Sequence, residues 1–411
     1  MKALFLILTV LSILFLSCAP GQIKSSSYSK NYLPGEDYNP SSQNLLDSDD
    51  VFASTDKGLY FIANDYLFYL DYATMKAEPF CFRPDCLHNK ENDQDKVLDC
   101  DAFLGSCSAG DLIACYNNKI YTICVNRSTG TGDLIEMELD GSSRRTVISD
   151  LPSKKAVRPL LHRGVIYYTT QSYSLDGETK AALMAYSLIS GSKEPEAVYT
   201  VSENGYLRGL FPCRDQVFFY EAVYKEGTAE IKSIDLMKYD IRTRKTERIT
   251  SEGEWQIYGV RDNKVIVNSS IDNHYYTYSM ETGVLSRENG GLNAFTEAHP
   301  DWFCHAECIT DDMNVFSCRR AEGHIEDLFV TDAYGNELCV IPGAGWSRFG
   351  SQMISIDDED YMIRSSYSIR PFSIKLYKKS DLMAGKVEPL TILEVDDINQ
   401  DLSKPYVVHL K

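Results

Sequence analysis

The sequence predicts an all-β fold, a seven-bladed β-propeller with four antiparallel strands per blade, and two observations support it. A polar turn followed by an apolar strand-like run recurs seven times along the chain. After the first copy the repeats begin roughly 45 to 52 residues apart, close to the length of one propeller blade. The composition agrees, since 27 Tyr and 17 Phe among 411 residues favour strands over helices.

Each repeat contains the sequence features of four strands. The seven turns that introduce the repeated run begin at Lys57, Asn118, Arg163, Asp215, Asn263, Met313 and Glu359. An apolar strand precedes each turn, and an alternating strand with its own polar turn follows, for example Leu67–Thr74 and Tyr276–Gly283. A single four-stranded sheet of this kind is apolar on both faces. Packing seven such sheets around one axis buries both faces and protects the sheet edges.

The blade number has one alternative. Eight blades would require the tail around Tyr406–Leu410 to belong to a further unit. We favour seven blades and expect this tail to add a strand at a sheet edge.

The first 18 residues are predicted to be a lipoprotein signal peptide that ends at the lipidated residue, Cys18. One lysine and about 14 mostly apolar residues precede Phe15-Leu16-Ser17-Cys18-Ala19, which resembles a lipobox although Phe15 and Leu16 are unusual there. Ordinary signal peptidase cleavage after Ala19 is the alternative. The sequence therefore predicts an exported protein, lipid-anchored on the outer face of the bacterial cell membrane.

The rest of the chain divides into a tether and a folded body. Residues 19–48 are rich in Ser, Asn, Tyr and Pro and are expected to be a flexible tether. Residues 49–411 are expected to form a single propeller domain. A formal net charge of −18 argues against a nucleic-acid partner, because phosphate binding needs a basic surface.

A cysteine-rich insertion at about 81–107 separates the first two repeats and carries the most specific motif. Cys81, Cys86, His88 and Cys100 have the spacing C-x4-C-x-H-x11-C. With the signal peptide and the tyrosine-rich repeats, this segment resembles that of Firmicutes-type lipoproteins whose body is a TolB-like or domain-of-unknown-function propeller. The resemblance covers nearly the whole chain. It implies a surface-anchored propeller of seven or eight blades and implies no particular chemistry.

Three interpretations of the cysteine segment remain open. A disulfide, such as Cys86 with Cys100, would close a loop in an exported protein and is the interpretation that we favour. A structural zinc ion is the second, because Cys81, Cys86, His88 and Cys100 form a complete tetrahedral ligand set. Free thiols are the third. In each case a structural role is expected, since a site with four protein ligands leaves no position for a substrate.

Other clusters are expected to be structural. Cys304 and Cys308 are predicted to share one face of the sixth blade's first strand, about 13 Å apart, and to pack in the core. The carboxylates of Asp357–Asp360 lack calcium-loop spacing and fit a solvated turn. No G-x-S-x-G nucleophile motif is present.

These observations predict a binding or scaffolding module for a protein, peptide or glycan partner, and an enzyme is the less favoured interpretation. The alternative function is that of a carbohydrate-active enzyme, a lyase or glycosidase, with a site at the channel mouth. Its catalytic groups would come from separate blades, so a single sequence does not reveal them.

Overall fold

The computed structural model contains seven sheets, and each sheet is built from strands that are consecutive in sequence. The structure describes residues 24–38, 52–63, 66–86, 100–104, 112–126, 131–151, 159–173, 179–190, 194–201, 204–225, 228, 230–250, 255–320, 326–343, 352–356, 361–366, 372–395 and 408–409.

The first three blades have four strands each. Blade 1 contains β1 (Phe52–Ser54), β2 (Gly58–Ala63), β3 (Tyr66–Asp71) and β4 (Lys76–Pro79). Blade 2 contains β5 (Ile113–Tyr116), β6 (Lys119–Asn126), β7 (Thr131–Glu138) and β8 (Arg145–Leu151). Blade 3 contains β9 (Leu160–His162), β10 (Val165–Tyr173), β11 (Thr179–Ser187) and β12 (Glu196–Thr200).

Blades 4 to 6 repeat the arrangement with longer first strands. Blade 4 contains β13 (Gly205–Cys213), β14 (Gln216–Tyr224), β15 (Ile231–Asp240) and β16 (Lys245–Arg248). Blade 5 contains β17 (Trp255–Arg261), β18 (Lys264–Ser269), β19 (Tyr275–Ser279) and β20 (Leu285–Arg287). Blade 6 follows helix α1 (Gly291–Ala298) and contains β21 (Trp302–Ile309), β22 (Met313–Arg320), β23 (Glu326–Asp332) and β24 (Glu337–Ile341).

Blade 7 has a fifth strand. It contains β25 (Gln352–Ile356), β26 (Tyr361–Ser366), β27 (Phe372–Lys378), β28 (Leu390–Val395) and β29 (Val408–His409), with the short helix α2 (Lys379–Met383) after β27. Because β29 pairs with β28 at the edge of this sheet, the tail completes blade 7. The prediction of seven blades is confirmed, and so is the prediction that the tail adds an edge strand.

The core consists of apolar layers between neighbouring blades. Seven clusters of buried side chains occur among the described residues, one at each junction of the ring. Strand β2 shows how one blade contributes to two layers. Leu59 and Phe61 pack toward blade 7, whereas Tyr60 and Ile62 pack toward blade 2, because successive side chains of a strand point to opposite faces.

The ring closes by side-chain packing between blades 7 and 1. Phe61 and Phe68 of blade 1 lie in one cluster with Ile363, Ile374 and Leu393 of blade 7. Since each blade uses its own consecutive strands, this apolar layer joins the first blade to the last.

The propeller has two distinct ends. In blades 1 to 6 a short turn joins the first two strands. The end of the propeller that carries these turns, including Arg163–Gly164 and Arg214–Asp215, is called the turn face. The end where the first strands begin, including Trp255 and Trp302, is called the opening face. The first strands of neighbouring blades approach one another, as β17 and β21 do, so they form the wall around the central axis.

Candidate functional site

The described cysteines of the insertion lie close together beside blade 1. Cys81 comes two residues after β4, Cys86 ends the following turn, and Cys100 returns after a stretch outside the described residues. The Sγ atoms of these three cysteines all lie within 4.8 Å of one another. The fourth predicted ligand, His88, lies outside the described residues.

The backbone around the three cysteines is held on blade 1 by hydrogen bonds. The Cys86 N–H donates to the Arg83 carbonyl at 3.2 Å, which closes the turn between the first two cysteines. On the other side, the Leu67 N–H donates to the Ala102 carbonyl at 2.8 Å, and Ala102 is fully buried. The core of blade 1 therefore positions both ends of the segment.

The thiols of Cys81 and Cys100 differ in acidity. Partial burial opposes ionisation of Cys81, but the backbone N–H groups of Arg83 and Asp101 and the thiols of Cys86 and Cys100 donate to its sulfur, and the balance lowers its pKa. Burial, together with the neighbouring Cys86, raises the pKa of Cys100 to about 12. The Cys81 thiol is therefore the more acidic of the two.

This arrangement suits a structural metal ion. Four ligands bound tetrahedrally to zinc at ~2.3 Å would hold sulfur atoms about 3.8 Å apart. This separation is compatible with three sulfurs that all lie within 4.8 Å of one another. N–H groups directed at a sulfur stabilise the thiolate that a metal requires. A disulfide, by contrast, would join only two of the three sulfurs and would leave the third as a free thiol.

Cys304 and Cys308 were predicted to share one face of a strand, and that prediction is wrong. The pairing of β21 with β22 shifts between Ala306 and Cys308, so Glu307 is an extra, bulged residue. Cys304 consequently packs in the layer between blades 5 and 6, and Cys308 packs in the layer between blades 6 and 7. The expectation that both pack in the core is confirmed.

Two further predicted positions lie outside the described residues: the lipidation residue, Cys18, and the carboxylate cluster Asp357–Asp360. Within the described ranges, no helix is long and apolar enough to cross a membrane.

The residues that sequence reasoning missed include a tyrosine–histidine pair on the channel wall. The Tyr258 hydroxyl lies 2.7 Å from Nε2 of His305, and the His305 Nδ1 lies 3.7 Å from a carboxylate oxygen of Glu307. Burial raises the pKa of Tyr258 well above its usual range. These residues lie on β17 and β21, the first strands of adjacent blades, and Tyr258 and His305 are separated by one blade length. That separation is the only sequence signal that relates them.

A second feature missed from sequence is an N-terminal segment, residues 24–38, packed on the turn face. Asp37 forms an ion pair with Arg163, and both side chains are almost completely buried. The Arg163 guanidinium also donates to the carbonyls of Ser29 and Asn31, at 2.7 and 3.0 Å. The left-handed backbone of Arg163 (φ 49°) and the adjacent Gly164 (φ 70°) turn the chain so that this side chain meets the segment.

The end of the N-terminal segment enters the core. Tyr38 is 4% exposed and packs edge-on against Phe211 at a ring-centroid distance of 5.4 Å. Its N–H donates to Nδ1 of the fully buried His162, whose Nε2 donates to the Arg214 carbonyl. Burial lowers the pKa of His162 to about 4, so this imidazole is neutral at pH 7.

The N-terminal segment falls within residues 19–48, for which the sequence predicts a flexible tether. Residues 24–38 are packed on the body, because Asp37 and Tyr38 pair with groups more than 120 positions away. The rest of that stretch lies outside the described residues.

Comparison with known proteins supports the fold. No family model and no curated protein matches this chain. A crystal structure of a puromycin hydrolase is similar over 92% of this chain, with a TM-score of 0.55 and 10% identity. This chain spans 58% of the length of that hydrolase.

Two further solved structures match nearly over their own full length. The β-propeller domain of the Trilobed protease from Pyrococcus furiosus is matched over 95% of its chain and 83% of this one, with a TM-score of 0.49 and 11% identity. An ulvan lyase of a new polysaccharide lyase family is matched over 99% of its chain and 87% of this one, with a TM-score of 0.49 and 10% identity. At such identities the likeness concerns the propeller fold alone.

Proposed function

We propose that this protein is a lipid-anchored, extracytoplasmic β-propeller that binds a protein, peptide or glycan partner. Cys18 carries the lipid, and the outer face of the bacterial cell membrane is the site of attachment. The observation that supports this proposal is the packing of residues 24–38 on the turn face. Five residues lie between Cys18 and Lys24, and the six steps from one to the other span at most about 20 Å, so an anchored propeller would turn its opening face outward.

Detergent partitioning tests the anchor. The full-length protein, expressed in a bacterium with a lipoprotein pathway, is expected in the detergent phase, and Cys18→Ala is expected in the aqueous phase. Mass spectrometry of the N-terminal peptide should show a diacylglyceryl-modified Cys18. An unmodified N-terminus created by cleavage after Ala19 would contradict the anchor and support ordinary secretion.

We also propose that the cysteine segment binds a structural zinc ion through Cys81, Cys86, Cys100 and His88. The convergence of three sulfurs within 4.8 Å supports zinc over a disulfide, because a disulfide needs only two. Bound zinc would cross-link an insertion with little apolar content to blade 1 and so stabilise its fold.

Metal analysis tests the zinc site. Protein purified anaerobically should contain about one zinc per chain, and His88→Ala or Cys100→Ser should reduce that content. Cys304→Ser is the matched control, because Cys304 lies in a different core layer, and it should retain the metal. Absence of zinc, with two fewer titratable thiols than the sequence provides, would support the disulfide instead.

A second candidate function is that of a carbohydrate-active enzyme, and the hydrogen bond between Tyr258 and His305 favours it. A phenol and an imidazole can exchange protons with a substrate, and the His305 side chain is partly exposed (39%) on the channel wall. In a lyase, such a base would remove the proton from the carbon next to a uronate carboxylate, and the glycosidic oxygen would leave from the neighbouring carbon with formation of a C=C bond.

Ultraviolet absorbance of the unsaturated product tests this function. Absorbance that develops with the original protein and is lost in His305→Ala would support it. No product from a panel of uronate-containing glycans would contradict it.

A further inference from the structure

The channel wall differs between the two halves of the propeller. The first strands of blades 4, 5 and 6 each contain an irregularity in their pairing, between Arg208 and Phe211, between Ile257 and Gly259, and between Ala306 and Cys308. The first strands of blades 1, 2, 3 and 7 pair regularly over their described residues. Bulges redirect side chains and are common beside functional sites.

The bulged first strands carry polar side chains that are exposed to solvent. Arg208 and Gln256 are exposed, and the partly exposed His305 bonds Tyr258 across the junction of blades 5 and 6. By contrast, the described first strand of blade 3 is fully buried. Exposed or partly exposed hydrogen-bonding groups are therefore present on the first strands of three consecutive blades, 4 to 6.

Aromatic rings and guanidinium groups lie at the opening-face end of blade 6. Phe303 is 59% exposed, and the Arg319 guanidinium lies 5.5 Å from the centre of its ring. Arg320 lies over Trp302 at 4.8 Å, and His299 stacks on Trp302 at 4.0 Å. Such pairs hold an arginine in place while leaving its donors directed outward.

These guanidinium groups remain available for an external anion. No ion pair involves Arg208, Arg319 or Arg320 among the described residues, although the chain carries a net charge of −18. Arginine binds a carboxylate through two parallel hydrogen bonds, which is stronger than a bond between neutral groups.

We propose that the channel wall of blades 4 to 6 binds an acidic oligosaccharide that contains uronic acid residues. The side chains that contact this ligand are those of Arg208, Gln256, His305, Phe303 and Arg319. This inference rests on the proposed binding function and names its ligand class. Aromatic faces accommodate the C–H groups of a pyranose ring, amide and imidazole groups bond its hydroxyls, and arginines bind its carboxylates. Alternating aromatic and polar groups fit a sugar chain better than they fit a protein interface, which needs a continuous apolar centre.

The location agrees with the packing of the N-terminal segment. Trp302 pairs with Arg320 at the end of the β21–β22 hairpin that is remote from its turn. Residues 24–38 occupy the turn face, so the proposed site lies at the opposite end of the propeller from this segment.

Calorimetric titration of the purified protein tests the proposal. The probes are a galacturonate oligomer, a neutral glucose oligomer of equal length and a poly-glutamate peptide of equal charge. The galacturonate oligomer should bind, and its affinity should fall as salt concentration rises. Phe303→Ala and Arg319→Gln should each weaken binding by roughly tenfold, the equivalent of about 1.4 kcal/mol.

Tyr334→Ala is the matched control, because Tyr334 is an 80% exposed aromatic residue in the turn between β23 and β24, at the other end of the same blade. This variant should bind like the original protein. Equal binding of poly-glutamate would indicate a peptide ligand, and equal binding of the neutral oligomer would exclude uronate recognition. Either result, or unaltered binding by both site variants, would overturn the proposal. Failure of the lipid anchor would appear only in the detergent partitioning.

Discussion

Replacing Asp37 by asparagine tests whether the N-terminal segment is part of the folded body. The Asp37 carboxylate is paired with the Arg163 guanidinium, and it also lies 3.5 Å from the Arg214 guanidinium. Asparagine has nearly the same shape, so D37N removes the negative charge and leaves the packing in place. The consequence is a positive charge at Arg163 that is buried and has lost its counter-ion.

The expected destabilisation is large. Removing one partner of a buried ion pair costs about 3–5 kcal/mol. Two backbone carbonyls still accept hydrogen bonds from Arg163, which favours the lower value, about 3 kcal/mol. For a body of roughly 360 residues, this corresponds to a fall in Tm of about 4 °C.

Denaturant unfolding and calorimetry of the full chain measure the effect. Glu230→Gln is the matched control, because it makes the same chemical change in the exposed ion pair with Lys225. That pair should contribute less than about 1 kcal/mol. If D37N and Glu230→Gln had equal stabilities, the N-terminal segment would contribute little to folding, and the argument from its buried ion pair would be refuted.

Two other predictions concern buried groups. The pKa of His162 is about 4 in the folded protein against 6.5 when exposed, so the unfolded chain binds an extra proton between these values, and folding should weaken by about 3 kcal/mol as pH falls from 7 to 4. Urea unfolding at several pH values in this range should show that the free energy of unfolding depends less on pH in His162→Gln than in the original protein. An unchanged pH dependence would contradict the lowered pKa of His162. Phe295 of α1 is 2% exposed and stacks on Phe316 at 4.4 Å, so Phe295→Ala should cost about 3–5 kcal/mol. Phe303→Ala, at an exposed ring, should change the free energy of unfolding by less than about 1 kcal/mol, and equal losses in both variants would contradict the core assignment.

Much of the fold could be predicted because blades are local in sequence. The hairpin pattern around Lys57–Ile62 contains its own turn and its own alternation of side chains, and both reappear in the paired strands β2 and β3. Even the edge strand Val408–His409 was identifiable, since an apolar run remained after seven units were complete.

The candidate sites were predictable only in part. The cysteine spacing identified Cys81, Cys86 and Cys100 as a group, and the structure brings their sulfur atoms together. The face of Cys308 was predicted wrongly, because a one-residue bulge reverses every later side chain of the strand and has no clear composition signal.

The amino-acid sequence by itself determined the number of blades, the strands of each blade and the position of the insertion, since these follow from turns and alternation within about 50 residues. Only the tertiary structure decided which side chains meet across blades. Asp37 pairs with Arg163, and Tyr258 with His305, because closing the ring brings distant segments into contact, and the register at each junction sets which atoms face each other. A local pattern specifies a strand, whereas a site on the channel wall depends on several strands packed around one axis.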